Sequence, residues 1–268
     1  RESCWATMRA GVLGLVALVG GVDAFNAGAP RSSSRLARGA VRMADDKVVV
    51  KQYFNNEGFE RWNRIYSEDG EVNKVQLDIR DGHQQTVDKI LAWIDADGDI
   101  RGKTVCDAGC GVGSLALPLA QRGAKVDASD ISEAMVNEAS RRAKSMSIET
   151  MPNFAPSDLS SLSGKFDTVT CVDVMIHYPT EEMAGMVKHL ASLAERRLII
   201  SFAPKTWYYD LLKKVGELFP GPSKTTRAYL HPEEDVVKAL GEAGFELKRT
   251  EMTATNFYFS RLLEAVRK

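Results

Sequence analysis

The chain has 268 residues, 44% apolar and 26% charged, with a formal net charge of −1 at pH 7. This composition is typical of a globular protein with enough apolar residues for one hydrophobic core. Residues 1–43 carry six arginines and two acids, so the rest of the chain has 29 basic and 34 acidic side chains and a net charge of −5. Because phosphate backbones need a basic footprint, this charge argues against a nucleic-acid substrate.

Residues 1–43 are predicted to be a targeting leader outside the core. Residues 11–22 form an apolar run that is too short to span a bilayer comfortably and is similar to the h-region of a signal peptide. Residues 25–43 hold four arginines and three consecutive serines but no acid, which is typical of a transit peptide. Together they resemble the two-part leaders of proteins sent to plastids with extra envelope membranes. A secretory signal alone or a disordered tail is the alternative.

Residues 44–98 are predicted to form an N-terminal helical arm, because residues 46–65 and 72–94 repeat apolar side chains at a mostly helical period. Strands and helices alternate over residues 99–268, which predicts an α/β domain with a mostly parallel seven-stranded sheet and helices on both faces. The predicted strands are Thr104–Ala108, Lys125–Asp130, Asn153–Ala155, Phe166–Val172, Arg197–Phe202, Phe245–Met252 and Tyr258–Val266. The predicted helices are Ser114–Arg122, Ser132–Lys144, Glu181–Ala194 and Glu233–Ala243, with Ser132 and Thr180 as N-caps.

The turn between the first strand and the next helix carries the most specific motif. Asp107 lies at the end of the strand, and Gly109, Gly111 and Gly113 follow at every second position. Glycines let the backbone come close to a ligand, and the first amides of the following helix face the same space. Asp130 ends the next strand about 20 residues on, where a carboxylate can receive ribose hydroxyls. The pattern predicts a nucleoside pocket rather than a tight turn that binds nothing.

Two features indicate which nucleoside this pocket favours. A dinucleotide fold has the pattern G-x-G-x-x-G, but here the third glycine comes one position early and Ser114 stands where it is needed. Asp107 beside the turn repels phosphate and attracts a cation or an amine. S-adenosylmethionine carries a sulfonium and an amino group but no phosphate, and the pattern D-x-G-x-G-x-G resembles the Rossmann-like class I methyltransferases that use it. A nicotinamide oxidoreductase is therefore disfavoured.

The carboxyl ends of the third and fourth strands supply further candidates, because ligands of open α/β sheets bind there. Asp158 is predicted to meet the adenine amino group, or else to be a simple turn residue. His177 is predicted to lie near the methyl donor, the alternative being a capping or core histidine. The class I resemblance implies four more cofactor contacts: Ile131, Met135, Leu159 and Asp173.

Residues 204–231 form a connection between the fifth strand and the next helix. A connection of this length predicts a lid or binding loop, with a packed helix and a joining turn as the alternative. An amphipathic helix is predicted at residues 206–219 within it.

Several other segments carry a resemblance that extends past the cofactor turn. They are Arg61–Tyr66, Gly82–Thr86, Ile176–Pro179, Ser201–Thr206 and Pro220–Tyr229. In these segments the chain is similar to the magnesium-protoporphyrin IX O-methyltransferase family of chlorophyll synthesis, over about residues 50–267. That family methylates one propionate of the porphyrin, giving the monomethyl ester and S-adenosylhomocysteine, and its arm and lid close over the substrate. Its active-site tyrosine and histidine match Tyr66 and His177.

The resemblance implies a broad, apolar substrate with acidic tails. A propionate has a pKa of about 4–5 and is ionised at neutral pH, so it needs alignment with the S–CH₃ bond and partial removal of water rather than a strong base. Tyr66 and His177 are therefore predicted to guide the carboxylate by hydrogen bonds. In the lid, Trp207 offers an apolar face, Lys205 offers a charge, and Arg227 can bind a carboxylate with two parallel bonds.

The remaining implications concern metals, location and thiols. The magnesium arrives inside the porphyrin, so no protein-bound metal is expected. The family implies a plastid location, in the stroma or peripheral to membranes, and contact with a magnesium chelatase subunit. Cys106, Cys110 and Cys171 give neither a disulfide framework nor zinc-ligand spacing. Oxidation of Cys110 in the ligand turn is predicted to block binding.

Two other functions stay open from the residues alone. One is a class I methyltransferase for another small acid, amine or phenol, which the cofactor motif does not exclude. The other is a module that binds S-adenosylmethionine or porphyrin without chemistry, and Asp107, Asp130 and His177 argue against it.

Overall fold

The computed structural model describes residues 51–55, 57–65, 72–206 and 229–268. The predicted leader and the predicted helix of the insertion lie outside these residues. So do three of the predicted site residues, namely Tyr66, Trp207 and Arg227.

Seven strands form one sheet in the order β3-β2-β1-β4-β5-β7-β6. They are β1 (Thr104–Ala108), β2 (Lys125–Asp130), β3 (Asn153–Pro156), β4 (Phe166–Cys171), β5 (Ala194–Phe202), β6 (Phe245–Ala254) and β7 (Phe259–Arg267). β1 to β5 pair in parallel, and β7 runs antiparallel to both β5 and β6. The predicted mostly parallel, seven-stranded sheet is confirmed.

The strand order reverses at the centre of this sheet. From β1 the chain continues outwards through β2 and β3, and it then returns to the other side of β1 to form β4 and β5. Such a switch point opens a crevice outside the carboxyl ends of the two central strands. Residues that follow β1, β2 and β4 are therefore brought to one edge, although they lie far apart in sequence.

Residues 51–55 are helical, and six α-helices of six or more residues accompany the sheet within the described residues. They are α1 (Glu57–Ile65), α2 (Lys74–Ala96), α3 (Ala116–Gln121), α4 (Glu133–Lys144), α5 (Thr180–Leu193) and α6 (Glu233–Glu242). The start of α2 is fixed by a capping box, in which Asn73 Oδ1 accepts the Gln76 amide at 2.9 Å and the Asn73 amide donates to Gln76 Oε1 at 3.1 Å. Such reciprocal bonds satisfy two amides that a helix start otherwise leaves unpaired.

Both faces of the sheet are buried. In β5, Leu198 and Ile200 belong to an apolar layer that includes α5 and α6, whereas Ile199 between them belongs to a layer that includes α2 and α3. This alternation follows from the period of two along a strand. It explains why β5 carries the continuous apolar run Leu198–Ile200 rather than an alternating pattern.

Two helix starts differ from the sequence prediction. The helix expected from Ser114 begins at Ala116, because residues 111–115 are taken up by the glycine turn. Thr180 is not an N-cap: it is the first residue of α5, and its hydroxyl donates to the Leu230 carbonyl at 3.3 Å. Pro179 is the residue before the helix instead. The Thr180 hydroxyl is bonded to the Leu230 carbonyl and so does not cap the helix.

Candidate active site

The glycine turn closes against the end of β2. The amides of Gly109 and Cys110 both donate to the Ser129 carbonyl, at 2.7 and 2.8 Å. Gly109 has φ +84° and Gly111 has φ +53°, in the left-handed region that other residues avoid. The turn therefore holds its amides at the mouth of the central crevice.

The two glycines are required for different reasons. A Cβ on Gly109 would lie 2.2 Å from Val174 Cγ2, so this glycine allows the segment after β4 to pack directly on the turn. A Cβ on Gly111 would meet no atom within 4 Å. The backbone at Gly111 therefore borders open space, which is the room that a bound nucleoside needs.

Asp107 lies near the carboxyl end of β1, two residues before Gly109. Its side chain is 2% exposed, and Oδ1 accepts the Thr170 hydroxyl at 2.8 Å. Oδ2 is buried and has no hydrogen-bond partner among the described residues. Burial raises the pKa of Asp107 to about 6, and the nearby Asp130 charge adds to this effect. A buried carboxylate oxygen of this kind is suited to receive a cationic or N–H group from a ligand.

Asp130 shapes the turn from the end of β2. Its Oδ2 accepts the Gly111 amide at 3.0 Å and its Oδ1 accepts the Ser132 amide at 2.9 Å. Burial raises the pKa of Asp130, and these two bonds oppose the rise. The Ile131 amide opposes it as well, so of about four acceptor positions on the ionised carboxylate roughly one is left for a hydroxyl donor.

Four other predicted cofactor contacts lie in the segments that follow β2 and β3. Asp158 lies in the segment tied to β2 by the Ser157 amide, which donates to the Asp130 carbonyl at 2.8 Å. Asp158 also caps the single helical turn Leu159–Ser161 by accepting the Ser160 amide at 2.8 Å. The other three predicted contacts are apolar: Ile131 is half-buried, and Met135 and Leu159 are buried.

The N-terminal arm docks beside the same site. Ser132 is the N-cap of α4, as predicted, and its Oγ accepts the Met135 amide at 3.3 Å. The same Oγ lies 3.0 Å from the Phe54 carbonyl and 2.9 Å from Asn55 Oδ1. The Phe54 ring then meets the His177 ring edge-on, with centroids 5.4 Å apart. One aromatic residue of the arm thus links the β2 end to the β4 end of the crevice.

His177 ends a single helical turn, Met175–His177, that follows β4. Its amide donates to the Val174 carbonyl at 3.0 Å. Its Nδ1 is buried and has no hydrogen-bond partner among the described residues. Burial lowers the pKa of His177 to about 4, against the opposing influence of the Asp173 charge. The imidazole is therefore neutral at pH 7 and only a weak base, and this low basicity suits a hydrogen-bonding role better than proton abstraction.

The two ends of the 204–231 insertion are tied to this turn. The Tyr229 amide donates to the Ile176 carbonyl at 2.8 Å. His231 is fully buried, and its Nε2 lies 2.9 Å from the Met175 carbonyl. The Lys205 amide donates to the His231 carbonyl at 2.9 Å, while the Lys205 side chain is exposed. Sequence reasoning missed His231, because nothing in its local pattern separates it from an ordinary loop histidine.

Asp173 is partly buried and is held by four side chains. Its carboxylate accepts hydrogen bonds from His83, Ser201, Tyr258 and Ser260. Burial alone would raise the pKa of Asp173, but the bonds and charge of His83 and the hydroxyls outweigh it and lower the pKa. The prediction that Asp173 contacts the cofactor came from the class I methyltransferase resemblance. Its partners come from three other elements, and local sequence gives no signal for them.

The three described cysteines are all buried. Burial raises the pKa of Cys106 to about 12 and holds that of Cys110 well above its usual range. Since the thiolate is the reactive form, this environment disfavours the predicted oxidation at Cys110. Within the described ranges, no group of three or more His, Cys, Asp or Glu residues is arranged to hold a metal ion. Over the same ranges, no helix is both long and apolar enough to cross a membrane.

Comparisons with known proteins agree on one family. The family model described as "Magnesium-protoporphyrin IX methyltransferase C-terminus" matches residues 171–267, and a model described as "Methyltransferase domain" matches residues 105–196. A magnesium-protoporphyrin O-methyltransferase of Synechocystis is 62% identical over 224 residues, which cover 83% of this chain and 97% of the relative. The chloroplastic magnesium protoporphyrin IX methyltransferase of Arabidopsis thaliana is 59% identical over 222 residues, covering 82% and 71%.

Solved structures give the same result. A crystal structure of magnesium protoporphyrin IX methyltransferase from Synechocystis with bound S-adenosylhomocysteine has a TM-score of 0.76 and 59% identity, covering 83% of this chain and 100% of that one. A second structure of that protein, with bound S-adenosylmethionine, has a TM-score of 0.74 and 55% identity, covering 83% and 97%. The fold and the crevice described above are thus similar to those of proteins that bind a methyl donor and its product.

Proposed function

The chain belongs to the magnesium-protoporphyrin IX O-methyltransferase family, and from that premise we propose how its own residues carry the reaction. It transfers a methyl group from S-adenosylmethionine to a propionate of magnesium-protoporphyrin IX, in chlorophyll biosynthesis. The observation that carries the assignment of residues is the buried Asp107 oxygen, which has no hydrogen-bond partner among the described residues and lies just before a turn whose Gly111 borders open space.

The donor site fits S-adenosylmethionine by charge and by shape. Asp107 Oδ2 receives the amino group of the donor, and the Gly111 backbone lies against its methionine part. Asp130 receives a ribose hydroxyl at the acceptor position that the Gly111, Ile131 and Ser132 amides leave open. Asp158 meets the adenine amino group, while apolar contacts to the adenine and neighbouring groups come from Ile131, Met135 and Leu159.

When bound, S-adenosylmethionine supplies a methyl group on a sulfonium, and transfer forms an O–C bond to the carboxylate while the C–S electron pair stays on sulfur. Opposite charges on acceptor and donor disappear in this step, so a dry site favours it. His177 and Tyr66 orient the carboxylate by hydrogen bonds. Burial lowers the pKa of His177 to about 4, so the ring is neutral at pH 7. A neutral ring can donate a hydrogen bond to the propionate without transferring a proton to it.

The porphyrin is held from the insertion side. Trp207 covers part of the macrocycle, and Lys205 and Arg227 bind the propionates. The exposed side chain of Lys205 and the ties of this segment to the His177 turn support the assignment of Lys205.

The test is methyl transfer by the purified chain. Donor labelled in its methyl group is incubated with magnesium-protoporphyrin, and the ester is separated by chromatography. Asp107→Asn is expected to lose activity through weaker donor binding. Asp127→Asn is the matched control, since Asp127 is exposed on the neighbouring strand and accepts from Asn153 at 2.9 Å. Equal activity of both variants would refute the role of Asp107. Label in another small acid, and none in the porphyrin, would refute the substrate.

We further propose that the chain acts in the plastid, in the stroma or peripheral to its membranes, and that a magnesium chelatase subunit delivers the substrate. The chloroplastic Arabidopsis relative and the arginine- and serine-rich composition of residues 25–43 support this location. A fluorescent protein fused behind residues 1–43 is expected to reach plastids. Co-purification with the chelatase tests the partner, and its absence at physiological salt would refute the contact.

A further inference from the structure

Asp173 has an unusual backbone for a residue with a side chain. Its φ is +59°, and it is the one non-glycine residue with positive φ among those the structure describes. For an L-residue this conformation costs about 1–2 kcal/mol and persists only where the surroundings hold it. The residue lies between the end of β4 and the turn that carries His177.

The surroundings that hold Asp173 come from distant parts of the chain. His83 Nδ1 lies 2.7 Å from Oδ2, and the Tyr258 hydroxyl donates to the same oxygen at 2.7 Å. The hydroxyls of Ser201 and Ser260 donate to Oδ1 at 2.9 and 3.1 Å. An ionised carboxylate has about four acceptor positions, so the side chain has no position left for a ligand. The Asp173 amide also donates to Ser201 Oγ at 2.8 Å, which fixes the backbone itself.

The His83 and Tyr258 side chains are themselves fixed. A Cβ on Gly82 would lie 2.4 Å from the Tyr258 ring, so the ring packs directly on the α2 backbone next to His83. The Tyr258 hydroxyl also lies 3.0 Å from Thr86 Oγ1, one turn along α2. The carboxylate of Asp173 is thus clamped between α2, β5 and the segment that enters β7.

The residues that follow Asp173 contact both the donor turn and the turn that carries His177. Val174, the next residue, presses its Cγ2 on Gly109 of the donor turn, and the His177 amide bonds to the Val174 carbonyl. Val174 thus links Asp173 both to the donor turn and to the backbone of the turn that carries His177.

We propose that Asp173, held by His83 and Tyr258, is a positioning residue that fixes the His177 turn relative to the methyl donor, rather than a contact of the donor. The inference rests on the proposed role of His177 in the reaction. A displacement of about 1 Å at a reacting centre costs on the order of 100-fold in rate. Loss of the clamp is therefore expected to lower kcat and to leave donor affinity nearly unchanged.

The test uses Asp173→Asn, because asparagine has the same shape and tolerates positive φ. Its NH₂ group would face side chains that donate hydrogen bonds to the carboxylate of Asp173, so at least one of those bonds is lost. We expect kcat to fall roughly 10- to 100-fold and the Kd for S-adenosylhomocysteine to stay within about threefold. Asp167→Asn is the control: Asp167 is a carboxylate at the opposite end of the same strand and accepts the Thr104 amide at 3.0 Å. It is expected to keep its kcat.

A double variant separates positioning from general damage. If Asp173 acts through His177, then Asp173→Asn combined with His177→Ala is no slower than His177→Ala alone. Multiplied losses, an unchanged kcat in Asp173→Asn, or an affinity loss as large as the kcat loss would each overturn the proposal. Tyr258→Phe, which keeps the ring on Gly82 and removes one bond, gives a milder version if Asp173→Asn does not fold.

One readout is independent of the enzyme reaction. The imidazole signals of His177, identified by their loss in His177→Ala, are expected to shift in Asp173→Asn and not in Asp167→Asn. Unshifted signals would overturn the inference. An unaltered chain that makes no ester, but whose His177 signals respond to Asp173→Asn, would overturn the proposed function while keeping the inference.

Discussion

Gly109 and Gly111 differ in a way that alanine substitution can measure. Both have positive φ, so an alanine at either position strains the backbone by about 1–2 kcal/mol. Only at Gly109 does the added Cβ meet protein, because it would lie 2.2 Å from Val174 Cγ2 and 3.3 Å from Val174 Cβ and Cγ1. Ordinary contact needs well over 3 Å, so Val174 must move by more than 1 Å.

The magnitudes follow from this geometry. Overpacking of this kind costs about 1–3 kcal/mol, so Gly109→Ala is expected to lose about 2–5 kcal/mol of unfolding free energy. Gly111→Ala is expected to lose only about 1–2 kcal/mol, since no atom lies within 4 Å of the new methyl group. Donor affinity is expected to fall more in Gly111→Ala than in Gly109→Ala, because the new methyl group at position 111 enters the space proposed for the ligand.

The assay is urea denaturation without ligand, combined with calorimetry of S-adenosylhomocysteine binding. Val174→Ala in the Gly109→Ala background removes Cγ1 and Cγ2 and is expected to recover part of the lost stability, whereas in the Gly111→Ala background it is expected to recover none. Equal destabilisation by the two alanines, or no recovery with Val174→Ala, would refute the packing argument. Unchanged affinity in Gly111→Ala would refute the placement of the donor.

Three further predictions test the site and its supports. His177→Ala is expected to lower kcat with little change in the Kd for S-adenosylmethionine, and Tyr66→Phe tests the hydroxyl alone; full activity in both variants would remove them from the mechanism. Asp107 has a pKa of about 6 in the folded protein, above its usual value of about 3.9. Between these two pH values the folded protein binds more protons than the unfolded chain, so its stability falls as pH rises through about 4–6. Asp107→Asn is therefore expected to be up to about 3 kcal/mol more stable than the unaltered chain at pH 7 in the absence of ligand, with the difference vanishing below about pH 4; pH-independent curves would contradict the assigned environment. Glu264 is fully buried and paired with Arg197 and Arg249. Glu264→Gln is therefore expected to lower the unfolding free energy by about 3 kcal/mol and to leave the Kd for S-adenosylhomocysteine unchanged. An unaffected denaturation midpoint would show that the two ion pairs contribute nothing to stability.

The sheet and the donor turn were predictable from sequence because their signals are local. The β-branched and aliphatic runs, the glycines Gly123 and Gly244 that follow two helices, and Asp107 with its three glycines all lie within a few residues of the structure they specify. Even there, the start of α3 at Ala116 and the lost capping role of Thr180 depend on neighbours that sequence spacing does not reveal.

The sequence by itself determined the fold class and the glycine turn after β1, and it predicted Asp107 and Asp130 as the carboxylates of the donor site, because each rests on side-chain chemistry and spacing along one strand or turn. Only the tertiary structure decided which carboxylate is left unpaired and which is fully bonded. Asp107 keeps a free oxygen, whereas Asp173 meets His83, Ser201 and Tyr258 across up to 90 residues of sequence. Hydrogen bonds depend on distance in space, and the folded sheet alone brings these groups together.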